Sequence, residues 1–398
     1  MNLMSLMNLV NYKFMNVNYK YYLFIILGAL LIAGNRHPIF LIHGFMGWGR
    51  DELVNHYYWG GNEDLQAILE QEGFIVHTIS VGPISSNWDR AIEAYTQIKG
   101  GCVDYGLEHS SQYEIIQKPV DKCYDGLYPE WDSNHPIHLI GHSQGGLTAR
   151  MLEHLLEVEI ENEKSNLLAN KHMGYINSIT TLSTPHNGTT LSFLINDKYP
   201  ALQKLSAYAG FVNSLIFKGI YNFDLDQWNL KKNESESYYQ FIQRINSSNI
   251  KYTKNSASWD LSIDGADAFN QMSQSSKETY YFSYSTTASS IYGSEGKHKP
   301  KAEMNYYLKS ASRLIGSDSS PPDKYWYEND GIVNTISMDG PHDENIIHYN
   351  GTSIPGVWQH VDKLNYDHHQ ILLRKLDDYG KADVFNLYLN HCRLLYDL

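Results

Sequence analysis

Ser143 stands in Gly141-His142-Ser143-Gln144-Gly145, a G-x-S-x-G pattern that presents a serine hydroxyl at a sharp strand-to-helix turn. Small residues beside the serine tolerate the strained backbone of such a turn. A hydroxyl is a weak nucleophile until a base takes its proton. A carboxylate must orient that base, and donors must receive the charge developing on the substrate oxygen. The chemistry implied is attack on an acyl carbonyl, with hydrolysis through an acyl-serine. Downstream, the best-placed acid is Asp330, in Trp326-Tyr-Glu-Asn-Asp330-Gly331, where a glycine follows an aromatic stretch at an expected loop. The best-placed base is His368, in Asn365-Tyr-Asp-His368-His369, late in the chain. Asp367 and His369 stand as rivals for these two roles. The oxyanion needs backbone amides: that of Gln144, directly after the serine, and a second just after the first strand. There the chain has His43-Gly44-Phe45-Met-Gly47-Trp48-Gly49, and Phe45 would be the donor.

These groups need a frame. Residues 136–140 make an apolar strand leading to the serine, and Leu147, Met151, Leu152, Leu155 and Leu156 recur at helical spacing after it. Apolar strands are expected over 38–43, 74–80, 137–140, 176–182 and 280–284, with helical patterns between several of them. Such alternation implies an α/β architecture: a mostly parallel sheet with helices on both faces. The interruptions over 89–132 and 187–277 exceed ordinary connection lengths, and are where a lid, specificity elements or a metal site would be carried.

Composition agrees with a folded enzyme. At 398 residues and 42% hydrophobic content the chain can bury a large core, in one large domain or two smaller ones. A net charge of −13 argues against nucleic acid or a strongly anionic membrane as partner. The 31 tyrosines suit amphipathic surfaces, and with plentiful Asn and Lys they also fit a compositional bias. Lys13 and Lys20 precede an apolar run over 21–34, too short to span a bilayer comfortably, and no acidic residue occurs before Asp51. Residues 1–34 are therefore expected to be a signal peptide and 35–398 the mature domain, secreted and without a transmembrane segment; an uncleaved signal anchor is the alternative. Cys102 and Cys123 bracket a short polar loop suited to a disulfide, leaving Cys392 odd. Sequons begin at Asn187, Asn233, Asn246 and Asn350. No internal repeat divides the chain.

The longer motifs narrow the field. His43-Gly-Phe-Met-Gly-Trp-Gly-Arg-Asp51, Val81-Gly-Pro-Ile-Ser-Ser-Asn-Trp-Asp-Arg90, Val103-Asp-Tyr-Gly106, Gly141-His-Ser-Gln-Gly-Gly146, Thr180-Thr-Leu-Ser-Thr-Pro-His-Asn-Gly-Thr189, Asp226-Gln-Trp-Asn-Leu230 and Glu328-Asn-Asp-Gly-Ile-Val-Asn334 run through nearly the whole mature chain. In these segments it resembles the secreted triacylglycerol lipases of staphylococci and Geobacillus. The resemblance implies an α/β-hydrolase fold, with Ser143, Asp330 and His368 on the triad positions and Phe45 and Gln144 on the oxyanion positions.

The resemblance also implies a structural zinc, with Asp89, His109 and Asp260 on three ligand positions. Ile115 stands where the fourth ligand, a histidine, would be, and zinc prefers four ligands in a closed site. The family's calcium is not expected here: the matching positions are Gln370 and Lys375, and a lysine repels a cation. The segment 198–218, rich in Leu, Phe, Val and Ile, corresponds to the family's lid. The activity expected is hydrolysis of triacylglycerol esters at an oil–water interface, with no cofactor required for the chemistry. A phospholipase A1 or carboxylesterase on the same scaffold is the alternative, and a non-catalytic lipid-binding protein the remotest one. A Cys102–Cys123 crosslink would take over part of the zinc's tethering role.

Overall fold

The computed structural model describes residues 34–192, 221–248, 250, 253–317 and 321–398. The segment expected to be a lid, and residues 1–33 of the expected leader, lie outside them. Among the described residues no helix is long and apolar enough to cross a membrane.

The chain runs through β1 (Ile39–Ile42), α1 (Leu65–Gln71), β2 (Val76–Ile79), α2 (Asn87–Lys99), β3 (Gly101–Cys102), α3 (Leu107–Tyr113), β4 (Cys123–Tyr124), β5 (Ile137–His142), α4 (Gln144–Glu157) and β6 (Ile176–Leu182). There follow α5 (Tyr238–Ser247), α6 (Ala257–Asp260), α7 (Ile263–Met272), β7 (Tyr280–Thr286), β8 (Ser289–Tyr292), β9 (Lys297–Pro300), α8 (Lys309–Ser317), β10 (Ile346–His348), β11 (Trp358–Leu364) and α9 (Asp378–Tyr396). Seven strands form one sheet in the order β10-β11-β7-β6-β5-β1-β2, every neighbouring pair parallel.

Because successive side chains of a strand point to opposite faces, β1 feeds two cores. Ile39 and Leu41 pack with Leu65 and Leu69 of α1 and with Val384, Tyr388 and Leu395 of α9. Phe40 and Ile42 pack on the other face with Ala91 and Ile98 of α2 and Leu147 and Leu155 of α4. Both faces are dry, so these strands need continuous apolar runs, which is why they are visible in the sequence. The five expected strands are present, with ends shifted by no more than two residues. The expectation omitted β10 and β11: the first is three residues at the sheet's edge, and the second, Trp-Gln-His-Val-Asp-Lys-Leu, is too polar to stand out.

The interruption over 89–132 holds α2, α3 and the small β3–β4 ladder, in which Cys102 and Cys123 face each other and form a disulfide. The remaining thiol, Cys392, is buried in α9. The Asn187 sequon is closed to modification, since its side chain is buried, donates to the Gly340 carbonyl and accepts from Asn270.

Candidate active site

Strand β5 runs directly into Ser143, whose backbone adopts φ 56° and ψ −128°, and α4 begins at the next residue. A non-glycine residue with positive φ is strained, and here the strain turns the side chain out from the sheet's edge. The turn closes only around small neighbours. A Cβ on Gly145 would strike the Ile42 carbonyl oxygen, and one on Gly141 would strike the Gly146 amide.

Two loops at the carboxyl ends of the strands meet the serine. His368 Nε2 lies 2.9 Å from Ser143 Oγ, and its Nδ1 lies 2.7 Å from Asp330 Oδ2. Asp330 is fully buried. Its Oδ2 also accepts from Thr286 Oγ1 at 2.8 Å, and its Oδ1 accepts from the amides of Ile332 and Val333 at 3.0 and 2.9 Å. Its carbonyl accepts the His368 amide at 3.0 Å, so the loops carrying Asp330 and His368 are joined along the backbone as well. The two rivals are engaged elsewhere. Asp367 accepts from Asn305 and from the amides of His369 and Gln370, clamping the loop that carries His368. His369 places Nδ1 3.1 Å from the Tyr307 hydroxyl.

On the other side of the serine, Gln144 opens α4, where an amide has no intrahelical acceptor. Its side chain is turned away and donates to the Ser85 carbonyl at 3.0 Å. The loop carrying Phe45 is held on either side: the Gly44 amide donates to Tyr58 Oη at 2.9 Å, and the Met46 amide to the Pro83 carbonyl at 2.8 Å. Buried Arg90 braces its base, donating to the carbonyls of His43 and Gly82 and to Thr148 Oγ1. Burial and the nearby Arg90 charge push His43 down to about 3, so its ring stays neutral beside that guanidinium. Ser143 and His368 line a small cavity together with Tyr58, Thr189 and His369 and with Phe45, Pro185, Leu261, Ile332 and Val333.

Tyr58, His142, Arg90 and Thr286 were not singled out in the sequence. His142 lies inside the elbow motif, where that position is free to vary; Arg90 closes the motif over 81–90 without a role to mark it, and Tyr58 and Thr286 carry no local signal.

The corner matching the family's zinc is assembled differently. Asp89 Oδ1 lies 3.0 Å from His109 Nε2, while its Oδ2 accepts from Asn255 at 3.1 Å and from Gln227 at 3.2 Å. His109 stacks on Trp88 with ring centroids 4.8 Å apart. Asp260 accepts the Asn87 amide at 2.5 Å. Ile115 is buried in the apolar core. Two carboxylates and one imidazole, with an apolar fourth position and one carboxylate already filled by amide donors, do not fit a closed structural zinc site. Nor do the calcium-matching positions offer oxygen ligands: Gln370 Oε1 accepts the Asp367 amide, and Lys375 Nζ sits 4.6 and 4.7 Å from the ring centres of Tyr306 and Tyr307.

A doubly covered parallel sheet with a serine elbow after β5, met by a histidine and a buried aspartate from later loops, defines an α/β-hydrolase. Within that class the chain belongs to the lipase-like C-terminal domain family, which residues 35–390 match. A lipase of Staphylococcus epidermidis is 35% identical over 357 residues, covering 84% of this chain and 49% of its own. The chain thus spans about half the length of the curated relatives it matches. Among solved structures, EstA from Clostridium botulinum superposes with a TM-score of 0.83 at 38% identity, over 92% of this chain and 88% of that one. Staphylococcus hyicus lipase gives 0.79 at 32% identity, over 91% and 96%.

Proposed function

We propose that the protein is a secreted lipase that hydrolyses the carboxylic ester bonds of triacylglycerols. The observation that carries this reading is the hydrogen-bond line from Ser143 Oγ through His368 to Asp330, opening on a small cavity in a chain of a lipase family. Ser143 Oγ attacks the ester carbonyl while His368 Nε2 takes its proton. Asp330 holds the opposite ring nitrogen and stabilises the imidazolium. The tetrahedral oxyanion is met by the amides of Phe45 and Gln144. His368 then returns the proton to the leaving alcohol, and the acyl group stays on Ser143. A water activated by the same imidazole releases the fatty acid. None of these steps draws on a metal. Secretion is supported by the basic and apolar leader in the sequence and by the Cys102–Cys123 disulfide, a bond that persists in oxidising compartments.

The test is release of fatty acid from emulsified triolein, tributyrin and phosphatidylcholine by the wild type and by Ser143→Ala. Hydrolysis of triolein that Ser143→Ala lacks is the expected result. Preference for phosphatidylcholine would make the protein a phospholipase, activity on tributyrin alone a carboxylesterase, and full activity of the variant would refute the serine mechanism.

A further inference from the structure

Beside the nucleophile, two side chains outside the triad, Tyr58 in the cavity wall and His142 directly before Ser143 in the chain, tie the oxyanion loop to the histidine loop. Tyr58 Oη accepts the Gly44 amide at 2.9 Å and lies 2.7 Å from His142 Nδ1. His142 Nε2 lies 2.9 Å from the carbonyl oxygen of His368. Only one arrangement of protons satisfies all three contacts. The tyrosine, having accepted from Gly44, donates its own proton to His142 Nδ1, and the imidazole then carries its hydrogen on Nε2 and donates to His368. Burial, with His368 and His369 close by, holds His142 well below the usual histidine range, so the ring stays neutral as this pattern requires. Both groups are buried, and the rings of His142 and His368 lie 4.7 Å apart. Arg374 fixes the tyrosine from behind, donating to the Tyr58 carbonyl at 2.9 Å with its guanidinium 5.1 Å from the ring centre. Gly44 adjoins Phe45, and a Cβ on Gly44 would sit 2.7 Å from that of Ser143, so the loop has no slack.

We infer that Tyr58 and His142 are positioning residues, holding the amide of Phe45 and the ring of His368 at a fixed separation across Ser143. This rests on the triad reading above. Attack and oxyanion stabilisation occur at the same carbonyl, so base and donor must agree in position to a fraction of an ångström. The bridge links the backbones that carry them by three hydrogen bonds and no solvent-exposed group.

The test uses Tyr58→Phe, His142→Leu and the double variant, with p-nitrophenyl butyrate as soluble substrate. Rates are taken per site titrated with diethyl p-nitrophenyl phosphate. Tyr58→Phe removes one oxygen and keeps the ring, and it alone decides the question if His142→Leu does not fold. Each single variant is expected to lower kcat about tenfold, with KM changed less than about twofold, since the donor is loosened rather than lost. The double variant is expected to lose no more than the worse single one, because both substitutions cut the same chain of bonds. A Tyr58→Phe enzyme with unchanged kcat, a loss confined to KM, or losses that multiply in the double variant would overturn the inference while leaving the triad reading intact. Failure of the titrant to label wild-type Ser143 would overturn both.

Discussion

Replacing both Cys102 and Cys123 by alanine is expected to lower stability without lowering turnover at 25 °C. The bond closes a loop with a sequence separation of 21, and that loop carries His109, whose Nε2 reaches Asp89 on α2. In the chain-entropy treatment, opening a loop of that length returns about 3 kcal/mol of conformational freedom to the unfolded chain. Unfolding entropy for a chain of 398 residues is roughly 0.8 kcal/mol per kelvin, so the melting temperature should fall by about 4 °C. The native loop keeps other anchors. Lys122 Nζ is 2.9 Å from both Glu93 and Asp224, and the Val103 amide donates to the Lys122 carbonyl. Glu93 in turn accepts the Gly82 amide at 2.6 Å, next to Pro83, whose carbonyl holds Met46 in the loop that carries Phe45. Loss of the crosslink therefore acts mainly on the unfolded state, and kcat on a soluble ester should stay unchanged. Scanning calorimetry of the wild type and the double alanine variant, each before and after dialysis against EDTA, is the assay. Chelation is expected to move neither melting point by more than about 1 °C, since the donors present do not fit a closed zinc site. Stoichiometric zinc in the purified protein, with a larger loss on chelation than on removing the cysteines, would refute the reasoning.

Ser143→Ala should reduce ester hydrolysis by on the order of 10⁶ with the fold intact by circular dichroism, and residual turnover near wild type would remove the serine from the mechanism. Asp330→Asn should cost on the order of 10⁴ in kcat, since the amide favours the wrong imidazole tautomer. His368→Ala should abolish activity while His369→Ala retains it; the reverse pattern in the same esterase assay would shift the base by one residue. Glu153 supplies a pH dependence: burial raises its carboxyl to about 8, and it accepts the Tyr281 hydroxyl at 2.6 Å. Its pKa is raised on folding, so its contribution is complete below the unfolded value near 4.5 and fades as pH rises through about 8, on the order of 5 kcal/mol in all. Glu153→Gln keeps an acceptor for Tyr281 and should flatten that fall in guanidinium unfolding measured from pH 5 to 9. An unchanged slope would clear Glu153 of the effect.

Which parts of the fold could be read from the sequence follows from where each strand sits. β1 is covered on both faces and apolar throughout, and a run such as Ile39–Ile42 has no other use, while β5 and β6 mix apolar residues with buried polar ones, such as His138 and Thr180, that are paired with Ser178 and His391. β11 escapes for the opposite reason. Only its first two residues are buried, and a register shift between His360 and Asp362 breaks the alternation that would have marked it. β10 hydrogen-bonds at the sheet's edge along three half-exposed or exposed residues and carries no pattern at all.

The candidate site divides along similar lines. Ser143 is legible because its strained turn imposes small residues within two positions of it, a constraint written locally. Asp330 and His368 are legible only in outline, through chain order and loop context, which is why Asp367 and His369 compete with them in the sequence. The fold separates the pairs by direction: Asp367 and His369 bond back to Asn305 and Tyr307, while His368 between them turns to Ser143 and Asp330 meets its other ring nitrogen. The groups that hold the machinery in place have no local mark. Gly44 and Tyr58 are 14 residues apart, Tyr58 and His142 are 84 apart, and His142 and His368 are 226 apart. A motif records what neighbouring residues impose on one another, whereas a bridge of this kind is imposed by the sheet that brings its ends together. Chemistry that needs a special backbone leaves a trace in the sequence, and chemistry that needs only a well-placed partner becomes visible once the chain is folded.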